Sequence, residues 1–291
     1  MATLQGCYTA IVTPFRDGEL DLDALGELVE MQIQSGVDGI VPVGTTGESP
    51  TLDFDEHERV IEFVAESVNH RCQVIAGTGA NCTAEAVRLT KHAASEDVDA
   101  SLQVTPYYNK PTQEGLYRHF STIADEGGLP VVLYNVPGRS GREIAVETIA
   151  RLAKHPNIIA VKEAGGSVDR VSQILDACDI TVLSGDDSLT LPMMSVGGKG
   201  VISVASNVVP QAVADMVHHA LNNVWDSASE LHARLYPLFR DLFIETNPIP
   251  VKAALSMMGL IREEYRLPMC PLQEKNRDQL VQSLRKAGVE I

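Results

Sequence analysis

The sequence has little positive charge, little aromatic content and no apolar run long enough to cross a membrane. Its 39 Asp and Glu outnumber 23 Lys and Arg, giving a formal net charge of -16. That balance speaks against nucleic acid, whose phosphates need a basic footprint. Anionic small molecules stay open, because physiological salt screens surface charge within about 8 Å and a few local cations can govern a cleft. No apolar run approaches the roughly 20 residues of a membrane span. The stretch from Met1 to Phe15 has no basic segment ahead of its apolar residues, so no secretory leader is expected. Five scattered cysteines, Cys7, Cys72, Cys82, Cys178 and Cys270, form no CxxC pair. The expectation is reduced core thiols in a cytoplasmic protein. The eight histidines show no ligand spacing, and the adjacent His218 and His219 point apart on a helix, so no metal site is expected.

What the chain does have is repetition. With 291 residues, 44% of them apolar, it can build one large α/β barrel or two ordinary domains. Eight short β-prone runs recur: "CYTAIVT" from Cys7, "GIVPVG" from Gly39, "CQVIAGT" from Cys72, "ASLQVTP" from Ala100, "PVVLYNVP" from Pro130, "NIIAVKE" from Asn157, "ITVLSGD" from Ile180 and "GVISVAS" from Gly200. They are near-continuously apolar, as parallel strands covered on both faces are. The segments between them read as helices. Asp53 stands three residues before Glu56 as an acidic capping box, and Val60, Ile61, Val64 and Val68 make one apolar stripe. Thr83 is expected to cap the following helix, with Glu85 in its first turn.

Eight such units predict a (β/α)₈ TIM barrel over residues 1–224. A doubly wound sheet would want a GxGxxG at its first turn, and the chain offers only "GTGAN" at Gly77. From about Asn223 the β-runs stop. Leu231, Leu235, Leu238, Leu242 and Phe243 fall at helical spacing, with Pro237 expected to bend or restart that helix. A break at Pro248 and Pro250 precedes another helix, which Gly259 can cap. Residues 225–291 thus read as a small C-terminal α-helical domain.

In such a barrel the C-terminal strand ends and the loops after them form the active face. There the sequence places Thr45 and Thr46 after strand two, Tyr107 and Tyr108 after strand four, and Tyr134 and Arg139 after strand five. Lys162 ends strand six, Gly185 follows strand seven, and Ile202 lies in strand eight. Each has an ordinary explanation. A strand-end lysine snorkels, threonines at a Gly-rich turn cap, and tyrosines beside prolines pack. Convergence of six strand ends on one mouth is the stronger signal.

That set has a narrow chemistry. There is no Ser-His-Asp arrangement at these positions and no P-loop. A neutral amine can condense with a ketone to give an imine, which acts as an electron sink. Free lysine is almost wholly protonated at pH 7, so the amine must be desolvated, and Ile159, Val161 and the neighbouring strands are the expected cause. Tyr134 can relay protons beside it, Thr45 can bridge to another hydroxyl, and backbone N–H groups at Thr45 and Thr46 suit a small carboxylate.

In order along the chain, "GTTGES", "TPYYNKP", "YNVPGRSG", "VKEA", "LSGDD", "GGKGVISVASN" and "NPIPVKAAL" resemble the dihydrodipicolinate synthase family of pyruvate-dependent class I aldolases. The resemblance runs along nearly the whole chain. It implies a (β/α)₈ barrel with a C-terminal helical domain, assembled as a homotetramer of two tight dimers. It implies no cofactor beyond a covalent imine of pyruvate with Lys162, whose enamine attacks L-aspartate 4-semialdehyde on the diaminopimelate route to lysine.

Position by position, Tyr134 matches the acid/base tyrosine, and Thr45 the relay threonine. Tyr108 matches a tyrosine that reaches in from the neighbouring subunit. Thr46 matches a contact to the pyruvate carboxylate, and Arg139 the guanidinium that takes the semialdehyde's carboxylate. Gly185 and Ile202 match backbone positions lining the pocket. Ser49, His57, Asn81, Glu85 and Tyr107 match an allosteric lysine site at the tight dimer interface, while Phe54 and Pro50 depart from it. N-acetylneuraminate lyases and 2-keto-3-deoxy sugar-acid aldolases resemble the chain at Lys162 and Tyr134 and lack the counterpart of Arg139. A catalytically silent barrel is the alternative from a different class.

Overall fold

The computed structural model describes residues 4–291, so the first three residues of the N-terminal stretch read above lie outside the described residues. Eight strands close one barrel: β1 Gly6–Ala10, β2 Gly39–Val41, β3 Gln73–Gly77, β4 Ala100–Val104, β5 Val131–Asn135, β6 Ile158–Glu163, β7 Thr181–Ser184 and β8 Gly200–Ser203. Each pairs in parallel with its sequence neighbours, and β1 closes on β8. A two-stranded hairpin, Phe15–Arg16 with Glu19–Leu20, stands outside the barrel.

Twelve helices follow: α1 Leu22–Gln34, α2 Phe54–Val68, α3 Thr83–Ser95, α4 Gln113–Glu126, α5 Pro137–Ser140, α6 Val146–Leu152, α7 Val168–Ala177, α8 Thr190–Ser195, α9 Pro210–Leu221, α10 Trp225–Asp241, α11 Ile249–Met257 and α12 Glu274–Lys286. The α2 start behaves as read. Asp53 accepts from the Glu56 N–H at 2.9 Å while the Glu56 carboxylate accepts from the Asp53 N–H at 3.1 Å. Its stripe of Val60, Ile61, Val64 and Val68 is buried, each side chain contributing roughly 1.5–3 kcal/mol.

Thr83 does not cap α3. Cys82 holds that position without a side-chain bond, and the Thr83 hydroxyl turns to His119 Nδ1 at 2.9 Å. Cys82 and Cys270 are exposed and Cys72 and Cys178 half-buried, so of the five free cysteines only Cys7 is a core thiol. Pro237 is carried inside a single continuous α10. Pro250 does not break the chain either: it sits in the first turn of α11, where a missing N–H costs nothing. Gly259, with φ +74°, follows the end of α11 as expected.

The apolar interior has two layers. Tyr8, Val41, Ile75, Leu102, Val132, Ala160, Leu183 and Ile202 fill the barrel, and the alternate strand residues meet the helices outside. The outer core continues without a break into Leu235 and Leu238 of α10, Val251 of α11 and Leu280 of α12. The expected division at residue 224 falls in the turn between α9 and α10, and the helices beyond it share the barrel's core. Among the described residues no helix is long and apolar enough to cross a membrane.

Candidate active site

Parallel pairing of β5 with β6 sets Tyr134 opposite Lys162, and β7 puts Leu183 on its other side. Strand residues alternate between faces, so Lys162 points into the barrel with Tyr134. The lysine is 6% exposed, and its Nζ lies 4.3 Å from the centre of the Tyr134 ring. Among the described residues no carboxylate lies within 4.0 Å of that amine. Its surroundings differ in one respect from expectation. Val161 faces the helical layer, packed with Leu133 and Val182, so it cannot desolvate the amine. Ala160, Leu183 and the Tyr134 ring share the barrel interior with Lys162.

Gly185 has a geometric reason to be glycine. A Cβ there would come within 2.9 Å of Lys162 Cε and 2.8 Å of Ala164 Cβ. Any side chain would push the lysine stem aside. Its N–H donates to the Glu163 carbonyl at 2.8 Å, which fixes the turn after β7 against β6.

The loop after β2 brings Thr45 and Thr46 to the same place. Val43, just before them, has φ +49°, a left-handed conformation in a β-branched residue. Such a backbone costs on the order of 1–3 kcal/mol and persists only where surroundings dictate it. Here the Gly77 N–H binds the Pro42 carbonyl at 3.0 Å, and the Thr13 hydroxyl binds the Gly47 carbonyl at 2.7 Å. The N–H groups of Thr45 and Thr46 make no hydrogen bond within the described chain, which leaves two adjacent donors unused.

Lys162, Tyr134, Thr45, Thr46, Arg139 and Gly185 line one cavity of about 160 Å³. A second chamber of about 230 Å³ adjoins it and shares Gly44, Thr45, Tyr134 and Arg139. Arg139 rides on the single-turn helix α5 and is exposed at the mouth. Two expected residues stay outside. Tyr108 is 91% exposed, with φ +70°, and touches neither chamber. Ile202 is packed in the barrel core, and Val204, two residues on, is the residue from this strand end that lines the cavity.

The sequence reading missed Asn247. It is 4% exposed, lines the cavity, and comes from the segment before α11. Its Nδ2 donates to Thr46 Oγ1 at 3.0 Å, and its carbonyl accepts from Arg139 Nη2 at 3.2 Å. Its Oδ1 is buried with no partner in the chain. An asparagine ahead of two prolines reads as a helix break, and only the fold shows it joining two cavity-lining residues.

Two of the five expected regulatory residues line the outer chamber. Ser49 and Tyr107 line it, and Asn81 Nδ2 donates to the Tyr107 carbonyl at 3.3 Å. Burial, with Glu85's charge nearby, raises the Tyr107 phenol above its ordinary pKa. His57 is buried, with Nε2 on the Gly77 carbonyl at 3.0 Å and Nδ1 unpartnered. Desolvation lowers its pKa from 6.5 to about 4, so the ring is neutral. Phe54 lies under the Arg88 guanidinium, 4.4 Å from ring centre to carbon.

Comparison with known proteins agrees with this fold. The profile of the "Dihydrodipicolinate synthetase family" matches residues 3–287. A 4-hydroxy-tetrahydrodipicolinate synthase from Hydrogenobaculum sp. (strain Y04AAS1) is 53% identical over 285 residues, 97% of this chain and 98% of that one. The chloride-inhibited dihydrodipicolinate synthase of Acinetobacter baumannii, solved with pyruvate, is 46% identical with a TM-score of 0.97, covering 99% of this chain and 100% of that one. The enzyme from Cyanidioschyzon merolae, solved with lysine bound, is 40% identical with a TM-score of 0.94, covering 98% and 99%. The chain belongs to the dihydrodipicolinate synthetase family.

Proposed function

We propose that this chain carries out its 4-hydroxy-tetrahydrodipicolinate synthase reaction through an imine on Lys162. The neutral amine attacks the ketone carbon of pyruvate, and one water leaves as the imine forms. Loss of a proton from the adjacent methyl gives the enamine, which forms the new carbon–carbon bond at the aldehyde of L-aspartate 4-semialdehyde. The semialdehyde's own amine then attacks the imine carbon and expels Lys162 as the ring closes. Atoms and charge balance with no metal and no redox cofactor.

The roles follow position. The free N–H groups at Thr45 and Thr46 receive the pyruvate carboxylate, Tyr134 moves protons beside the imine, and Thr45 links it onward. Arg139 at the mouth receives the carboxylate of the semialdehyde. Gly185 and the end of β8 near Ile202 shape the floor by backbone. Tyr108, extended into solvent from a left-handed backbone, completes the relay of a second subunit in a homotetramer built as a dimer of dimers. Ser49, His57, Asn81, Glu85 and Tyr107 form an L-lysine inhibitor site at that interface, and the protein works in the cytoplasm.

The observation that carries this reading is a buried amine that has no counter-ion among the described residues and faces a cavity of about 160 Å³. A coupled assay with pyruvate and L-aspartate 4-semialdehyde, run with and without L-lysine, tests it. Turnover that needs both substrates is expected. Pyruvate binding without such turnover would move the assignment to the sugar-acid aldolases.

A further inference from the structure

Directly behind Lys162 the chain buries Glu163, with no exposed surface. β5 and β6 pair Asn135 with Glu163 just as they pair Tyr134 with Lys162. The second pair faces the cavity, so the first faces the helical layer. There both Glu163 oxygens accept from Asn135 Nδ2, at 2.8 and 3.0 Å. The Gly165 N–H adds 2.7 Å and Arg170 Nε of α7 adds 2.9 Å. A buried carboxylate needs that many donors to offset its lost hydration.

The network reaches further, to Ile144. Asn135 Oδ1 accepts the Ile144 N–H at 3.0 Å, and Arg170 Nη2 donates to the Ile144 carbonyl. Arg170 Nη1 also pairs with Glu143 at 2.5 Å. Both backbone polar groups of one loop residue are therefore held by side chains tied to a single carboxylate. That loop carries Arg139. Its near end is fixed to β5, where the Val136 carbonyl accepts the N–H groups of Arg139 and Ser140 at 2.9 and 3.0 Å. Its far end has no strand ladder to lean on. Lys162, by contrast, is held by the ladder from both sides.

We propose that Glu163, acting through Asn135 and Arg170, is a positioning residue that sets where the Arg139 guanidinium stands relative to the imine on Lys162. Replacing a buried ion pair by apolar groups commonly costs no stability, so stability alone does not require this charge. Misplacing a binding group by about 1 Å can cost on the order of 100-fold. The proposal rests on the assignment of Arg139 to the semialdehyde's carboxylate.

The test is a double-mutant cycle on the full chain with Glu163→Gln and Arg139→Ala, reading KM for each substrate, kcat, and the rate of borohydride trapping with pyruvate alone. Glu163→Gln should raise the semialdehyde KM by roughly 10-fold or more while pyruvate KM and trapping stay within about 2-fold. Added to Arg139→Ala, it should raise the semialdehyde KM no further. Equal losses for both substrates, or full multiplication of the two effects, would overturn the positioning role. Arg139→Ala leaving the semialdehyde KM unchanged would instead overturn the assignment of Arg139. If Glu163→Gln does not fold, Arg170→Lys serves in its place. It keeps a charge beside Glu163 but cannot also fork to Ile144, and it should shift the same KM alone.

Discussion

Lys252 and Lys162 are both buried, 0% and 6% exposed, and they sit in opposite electrostatic settings. Lys252, on α11, pairs with the Oε1 of buried Glu48 and lies over two aromatic rings, Phe15 at 4.3 Å and Tyr265 at 5.2 Å. Glu48's other oxygen accepts the Arg266 N–H at 3.3 Å. Burial lowers the Lys252 pKa, and Glu48 opposes that shift. Lys162 lies against the face of Tyr134 and opens on the cavity. The difference separates a paired lysine from one that has no carboxylate within 4.0 Å among the described residues. The Lys252 pair ties the C-terminal helices to the loop that carries Thr45 and Thr46, while Lys162 faces the cavity.

The sharpest way to break that contrast is to delete each lysine. Lys162→Ala should lower turnover by roughly 10⁴-fold or more with no loss of melting temperature. Steady-state kinetics and a thermal melt check both halves, and turnover above about 1% of wild type would show another nucleophile. Lys252→Met should do the reverse, costing about 3–5 kcal/mol because Glu48 is left buried without its counter-ion. Denaturant titration should also find that Glu48→Leu added to Lys252→Met recovers most of the loss. A single variant as stable as wild type would remove the structural role.

Unpaired buried bases occur elsewhere too. His57 and His119 each keep one ring nitrogen buried without a partner, and burial lowers both from 6.5 to about 4. Between those values the unfolded chain binds more protons than the folded one, so stability is lost as pH falls from 6.5 toward 4. The unfolding free energy from urea titrations across that window should drop by on the order of 3 kcal/mol for each ring. A flat profile would mean the rings accept protons in place. The smallest effect concerns the mouth. Arg139→Ala should raise the semialdehyde KM about 10- to 100-fold and leave the pyruvate KM unchanged. A change in pyruvate KM of the same size would show that Arg139 serves the inner cavity.

Much of this was legible because parallel barrel strands announce themselves. All eight apolar runs became strands, and six of the expected residues, from four strand ends, line one cavity, while Tyr108 and Ile202 stay outside it. What the chain concealed was which face a residue takes. Val161 neighbours Lys162 in sequence yet packs on the other layer. Glu163 beside a lysine at a strand end reads as solvated charge, whereas in the fold it is the hub of a buried network. Thr83 looked like a cap because His119, its actual partner, lies 36 positions away. Asn247 depended on contacts across the whole chain, 201 positions from Thr46. Local signals give elements, and long-range hydrogen bonds stay invisible until the barrel closes.

The most direct measurement is mass spectrometry of the protein after incubation with pyruvate and sodium borohydride. The prediction is one adduct per chain, with the mass of pyruvate less water plus two hydrogens, on the peptide bearing Lys162 and none on the peptide bearing Lys252. An adduct on Lys252, or on neither lysine, would contradict the claim that the unpaired buried amine is the nucleophile.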